Sequence, residues 1–120
     1  MRFYWFHLMP YQDLPPDFST KYPSVWVDPP SDLFDPASGH RMYNEYIDEL
    51  EFAAQMGFDG VCVNEHHQNA YGLMPSPNII AASLARSTAN CAVVVLGTRI
   101  ALYLSLIHIL PCPHELRVVH

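Results

Sequence analysis

The chain has 120 residues, half of them hydrophobic and 15% charged, which suits a single folded domain with a real core and excludes a disordered segment. Twelve Asp and Glu against six Lys and Arg leave a formal net charge of −6, the wrong sign for a partner made of nucleic acid. Three scattered cysteines, Cys62, Cys91 and Cys112, make neither a disulfide framework nor a zinc site and fit reduced thiols in a cytoplasmic protein. The apolar opening ends at Pro10, too early for a secretory signal. The apolar stretch over 100–110 falls short of the roughly 20 residues that cross a bilayer, so no membrane partner is expected.

Residues 2–9 are dense in aromatic and β-favouring side chains and predict a buried strand. Residues 10–39 carry seven of the eleven prolines and read as a long loop, a length that is usually functional in a compact unit. A helix is predicted over about 40–56, where Tyr43, Tyr46, Ile47, Leu50, Ala53 and Ala54 make one apolar stripe. Gly57 suits the left-handed residue that closes such a helix, and Phe58 can fold back onto its last turn. Residues 60–64 follow as a second strand, apolar on both faces as in a covered parallel sheet. Ser76 is placed as an N-cap with Pro77 at the first helical position, opening a helix to about Thr88 whose buried side is Ile80, Leu84 and the alanines between. Residues 92–97 give a third strand.

The order β-loop-α-β-loop-α-β predicts an α/β fold with parallel strands, either an open sheet or part of a closed barrel. In both, chemistry gathers at the carboxyl ends of the strands, which puts His7, the cluster Asn64–His67 and Thr98–Arg99 on one edge. No Gly-rich phosphate loop is present.

The central motif is "NEHHQNAYGLMPSPN", beginning at Asn64. Its adjacent histidines have three readings: metal ligands, capping residues, or a proton-transfer group. Metal is the weakest, because consecutive strand side chains diverge and no HExxH pattern or cysteine pair completes a shell; the expected metal set is none. Imidazole suits proton transfer near neutral pH. Glu65 either orients a histidine or anchors the loop, and Asn64 either ends the strand or binds a ligand. Tyr71 and Met74 either wall a pocket or fill the core, and His7 is either a core histidine or a site residue.

Taken whole, "GFDGVCVNEHHQNAYGLMPSPNIIAASLA", with "VVVLGT" after it, resembles the bacterial luciferase-like flavin-dependent monooxygenases. The matching features are Gly-Phe-Asp after the helix, Glu-His-His ending the strand, Gly-Leu in the loop, and Pro-Asn opening an alanine-rich helix. The likeness spans about residues 1–103. It implies that this stretch is the N-terminal part of a (β/α)8 TIM barrel, truncated, and inactive by itself. It further implies a cytoplasmic enzyme that uses reduced FMN, supplied by a separate flavin reductase, and O2 to oxygenate a small-molecule substrate, and that is a homo-oligomer when full length. Some relatives use a deazaflavin for hydride transfer instead. The resemblance assigns catalysis to His66, turned towards the barrel axis, with His67 turned outward under the helices. The cofactor would be bound by His7, Asn64, Glu65, Tyr71 and Thr98; Arg99 departs from the small residues usual there. A rival from another class is a non-catalytic partial-barrel binding or assembly module.

The resemblance stops at Tyr103, and residues 104–120 change in character. "LSLIHI" resembles the translation of a transposon-end adapter used in sequencing libraries, so this tail is expected to be foreign to the gene. An independent read past the Tyr103 codon should therefore give a different continuation; the same tail in that read would overturn the expectation.

Overall fold

The computed structural model describes residues 1–98; the tail, Arg99 and Cys112 lie outside the described residues. Its elements run β1 (Tyr4–Phe6), α1 (Phe18–Lys21), a 3-10 turn (Ser31–Leu33), α2 (Pro36–Gln55), β2 (Gly60–Asn64), α3 (Pro77–Ser87) and β3 (Ala92–Leu96). The strands form one parallel sheet in the order β1-β2-β3, with Phe6 opposite Cys62 and Asn64 opposite Leu96. The α/β architecture with parallel strands is thus as expected, in the form of an open sheet. Among the described residues no helix is long and apolar enough to cross a membrane.

The first strand corrects the sequence reading in length and in burial. It spans three residues rather than eight, and Phe3, Tyr4, Trp5 and Phe6 are each at least 41% exposed. The strand ends early for a local reason. The Met9 N–H donates to Nδ1 of His7, and Met9 takes φ 53°, so the backbone turns out of the ladder. Exposure follows from position, because β1 lies at one edge of the described sheet.

The supposed loop over 10–39 holds two short helical turns and the start of α2, which begins at Pro36 rather than near 40. Asp35 is the reason. Its carboxylate accepts from the N–H groups of Ser38 (2.8 Å) and Ala37 (3.4 Å), and Pro36 occupies a position where a missing N–H costs nothing. Those bonds, Ser38 first, hold the Asp35 carboxyl below the ordinary range. Tyr46, Leu50 and Ala53 are buried as expected and Met42 joins them, while Tyr43, Ile47 and Ala54 sit half-buried against the core. At the other end Gly57 adopts φ 92°, and the N–H groups of Gly57 and Phe58 reach back to the carbonyls of Ala54 and Ala53. That is the left-handed closure that the Gly-Phe pair predicts.

Every residue of β2 is buried. Val61 and Val63 enter the core with α2 and α3, so by strand alternation Cys62 and Asn64 face the other side of the sheet. Burial pushes the Cys62 and Cys91 thiols up, away from the reactive thiolate form. The third helix has the expected bounds, but the Ser76 hydroxyl makes no cap hydrogen bond. Its buried stripe is also narrower than expected, since Ala81 is half-buried and Ala82 exposed.

Two neighbouring isoleucines on α3 isolate the value of that stripe. Ile80 is 8% exposed and Ile79 66%. Ile80→Ala should cost about 2–4 kcal/mol in urea unfolding, and Ile79→Ala about 0.5 kcal/mol or less. Equal losses would mean that the helix packs on a different face.

Candidate functional site

The sequence-predicted residues divide into two groups at the carboxyl end of the sheet. The first lies at the strand ends. Asn64 closes β2 and donates from Nδ2 to the carbonyl of His7 (3.1 Å), which ties the end of the central strand to the residue after β1. His7 is buried and accepts the Met9 N–H on Nδ1, so its proton sits on Nε2 and is donated to Oε2 of Glu49 on α2 at 2.7 Å. Its ring also lies 4.7 Å from that of Tyr46. His7 is thereby a fastened core histidine. Thr98 is half-buried two residues beyond β3. Asn64 Oδ1 stands out: it is fully buried and has no hydrogen-bond partner among the described residues.

The second group is the loop after β2. Asn69 shapes it, accepting on Oδ1 from the N–H groups of Tyr71 and Gly72 (3.1 Å each) and donating from Nδ2 to the carbonyl of His67. The loop closes where the His66 N–H meets the Met74 carbonyl at 2.8 Å. It is also stitched to the segment following β1. Leu73 N–H donates to Met9, Tyr11 N–H to Ala70, and Ala70 N–H to Val25. These bonds bring the prolyl segment alongside His66, whose ring meets Tyr71 and Trp26 edge-on at 5.2 and 5.5 Å. Trp26 and Tyr71 stack on each other at 3.7 Å.

A cleft of about 620 Å³ opens between the two segments. One wall is Asp28, Pro29, Pro30, Ser31 and Phe34 from the prolyl segment. The other is His66, Gln68, Asn69, Gly72, Leu73 and Pro75, with Tyr43 contributed by α2. Asp28 and Gln68, on opposite walls, both hold left-handed backbone conformations (φ 44° and 51°), a costly state for residues with a side chain. Gly72 fits His66 closely, for a Cβ there would fall 2.5 Å from Cδ2 of the imidazole.

His66 and His67 are unlike, as expected, but not in the expected manner. Burial pulls the His66 pKa below that of a free imidazole, and the adjacent His67 adds to the effect, so His66 is neutral at pH 7. His67 is not tucked under the helices. Its side chain is 37% exposed, and Nε2 lies 2.6 Å from Oε1 of Glu65, whose own side chain is 5% exposed. The contact with Glu65 holds the ring at the surface. Met74 is wholly buried and belongs to the core rather than to the cleft wall; Tyr71 contacts His66 and Trp26 and does not line the cleft. The sequence reading missed Trp26, Asp28, Phe34 and Asn69. Only Asn69 left a signal, the Asn-x-x-Gly spacing of a side-chain-closed turn.

Among the described residues no group of three or more His, Cys, Asp or Glu is placed to hold a metal ion. No protein-family model, curated protein or solved structure matches the chain.

The close fit of Gly72 to His66 is testable by titration. In the unaltered chain the NMR midpoint of His66 should lie below about 6.5. Gly72→Ala should push the imidazole out of its berth and return the midpoint towards that value. An unchanged midpoint would show that the ring does not rest on Gly72.

Proposed function

We propose that the gene encodes a flavin-dependent oxidoreductase of the luciferase-like monooxygenase type, with the three parallel strands as the first three of a (β/α)8 barrel. The observation that carries this reading is His66. It is a neutral imidazole at the carboxyl end of the central strand, set in an aromatic cluster and lining a largely apolar cleft. The motif resemblance supplies the chemistry, and the geometry offers that chemistry a proton-transfer group in a partly dehydrated place.

The residues present fit the flavin ring system. Buried Asn64 Oδ1, without a partner among the described residues, is an acceptor suited to the ring N–H of a flavin, and Thr98 lies on the same edge. Among the described residues no Lys or Arg lines the cleft to meet the FMN phosphate. When bound, reduced FMN would activate O2 and deliver one oxygen atom to a small organic substrate. The chain's own tasks are narrower. His66 takes or gives a proton as its pKa allows, Gly72 and Tyr71 hold its ring, and the apolar walls exclude water. Glu65 would act through His67 rather than on the cofactor, given their 2.6 Å contact. A separate reductase would supply the reduced flavin, and a deazaflavin would turn the same site to hydride transfer.

The test uses the complete reading frame and reduced FMN. Flavin fluorescence should be quenched saturably, and His66→Ala should lower turnover by about 10²–10⁴-fold with the fold intact. His67→Ala should change turnover far less, since its ring is held at the surface. Normal turnover in the His66 variant, or no flavin response at all, would defeat the proposal.

A further inference from the structure

Resting on the reading above, in which Asn64 and Thr98 at the strand ends suit the flavin ring, we infer that the cleft takes the substrate and selects an apolar amine. The volume, about 620 Å³, is in the usual range for small-molecule sites, roughly 300–1,000 Å³. Phe34, Tyr43, Leu73 and three prolines give it apolar walls, which favour a hydrocarbon or aromatic body.

Among the described residues the charge in the cleft has one sign: Asp28 lines it as a carboxylate, and no Lys or Arg does. Among the described residues Asp28 has neither an ion pair nor a hydrogen bond. Arg41 does not line the cleft, and its guanidinium is engaged by Asp13 and Glu45 at 2.8–3.0 Å. A carboxylate left free on an apolar wall attracts a protonated amine and repels an anion. The backbone reinforces the point, for Asp28 is held at φ 44°, a conformation with a cost that the fold sustains at this position. His66, neutral at pH 7, adds no positive charge to offset it.

Trp26 supplies a reporter, since its ring contacts His66 and stacks on Tyr71 beside the cleft. The 120-residue chain carrying Trp5→Phe retains Trp26 as its sole indole. In low salt and without flavin, phenethylamine should change Trp26 emission saturably and bind about tenfold more tightly than phenylacetate, with phenethyl alcohol between them. Asp28→Asn should weaken the amine by about fivefold, to the level of the alcohol, as suits an exposed ion pair. Equal or tighter binding of phenylacetate, no saturable response to the amine, or an Asp28→Asn variant that binds the amine unchanged would each overturn the inference. Flavin is absent from the titration, so a failed flavin reading leaves this result standing, and an amine that does not bind leaves flavin quenching untouched.

Discussion

Backbone hydrogen bonds around the loop after β2 are the constraint on which the rest of the site depends. Buried peptide groups must find partners, and the loop's groups find them across the loop itself and in segments distant in sequence. His66 bonds Met74, Leu73 bonds Met9, Tyr11 bonds Ala70, and Ala70 bonds Val25. Each pairing is local in space and none belongs to a helix or strand. Together they fix how far the prolyl segment stands from His66, and so create the cleft. Without them Trp26 and Phe34 would have no defined place relative to the histidine.

The same carboxyl edge combines a rigid part and a strained part. At the strand ends the polar side chains are mutually satisfied: Asn64 holds the His7 carbonyl, and His7 is fastened by Met9 and Glu49. A buried group in such a network gains order at the expense of freedom. The cleft walls differ, for Asp28 and Gln68 keep unfavourable backbone angles and Asp28 keeps an unpaired charge among the described residues. Strain and unmet charge persist where the surrounding structure over-determines them, which is common where ligands bind. The one exception in the rigid part is Asn64 Oδ1, an acceptor buried without a partner among the described residues.

The two histidines show how position on a loop divides two identical side chains. Neighbouring residues leaving a strand diverge, so one imidazole enters the aromatic cluster and the other meets Glu65 at the surface. Desolvation then keeps the first neutral, while a carboxylate engages the second. Gly72 completes the distinction, because only a residue without a Cβ leaves room for the His66 ring.

Much of the frame was legible in the residues themselves. The all-apolar run of β2, the 3.6-residue stripe of α2, the Gly57-Phe58 closure and the parallel order of strands follow from local pattern and chain connectivity, which act over a few residues. The Asp35-Pro36 start was equally local and was overlooked. Other features lay beyond that range. The exposure of β1 depends on its place at the sheet edge, and the engagement of His67 depends on which way its ring leaves the strand. The pairing of residues near 26–34 with those near 66–75 depends on backbone bonds between segments some forty residues apart. The sequence by itself therefore determined the main helices, the central strand and the parallel order, though not the length of β1 or the short turns of the prolyl segment. Tertiary structure alone decided which side chains share the cleft, because that follows from long-range hydrogen bonding and packing that no local pattern encodes.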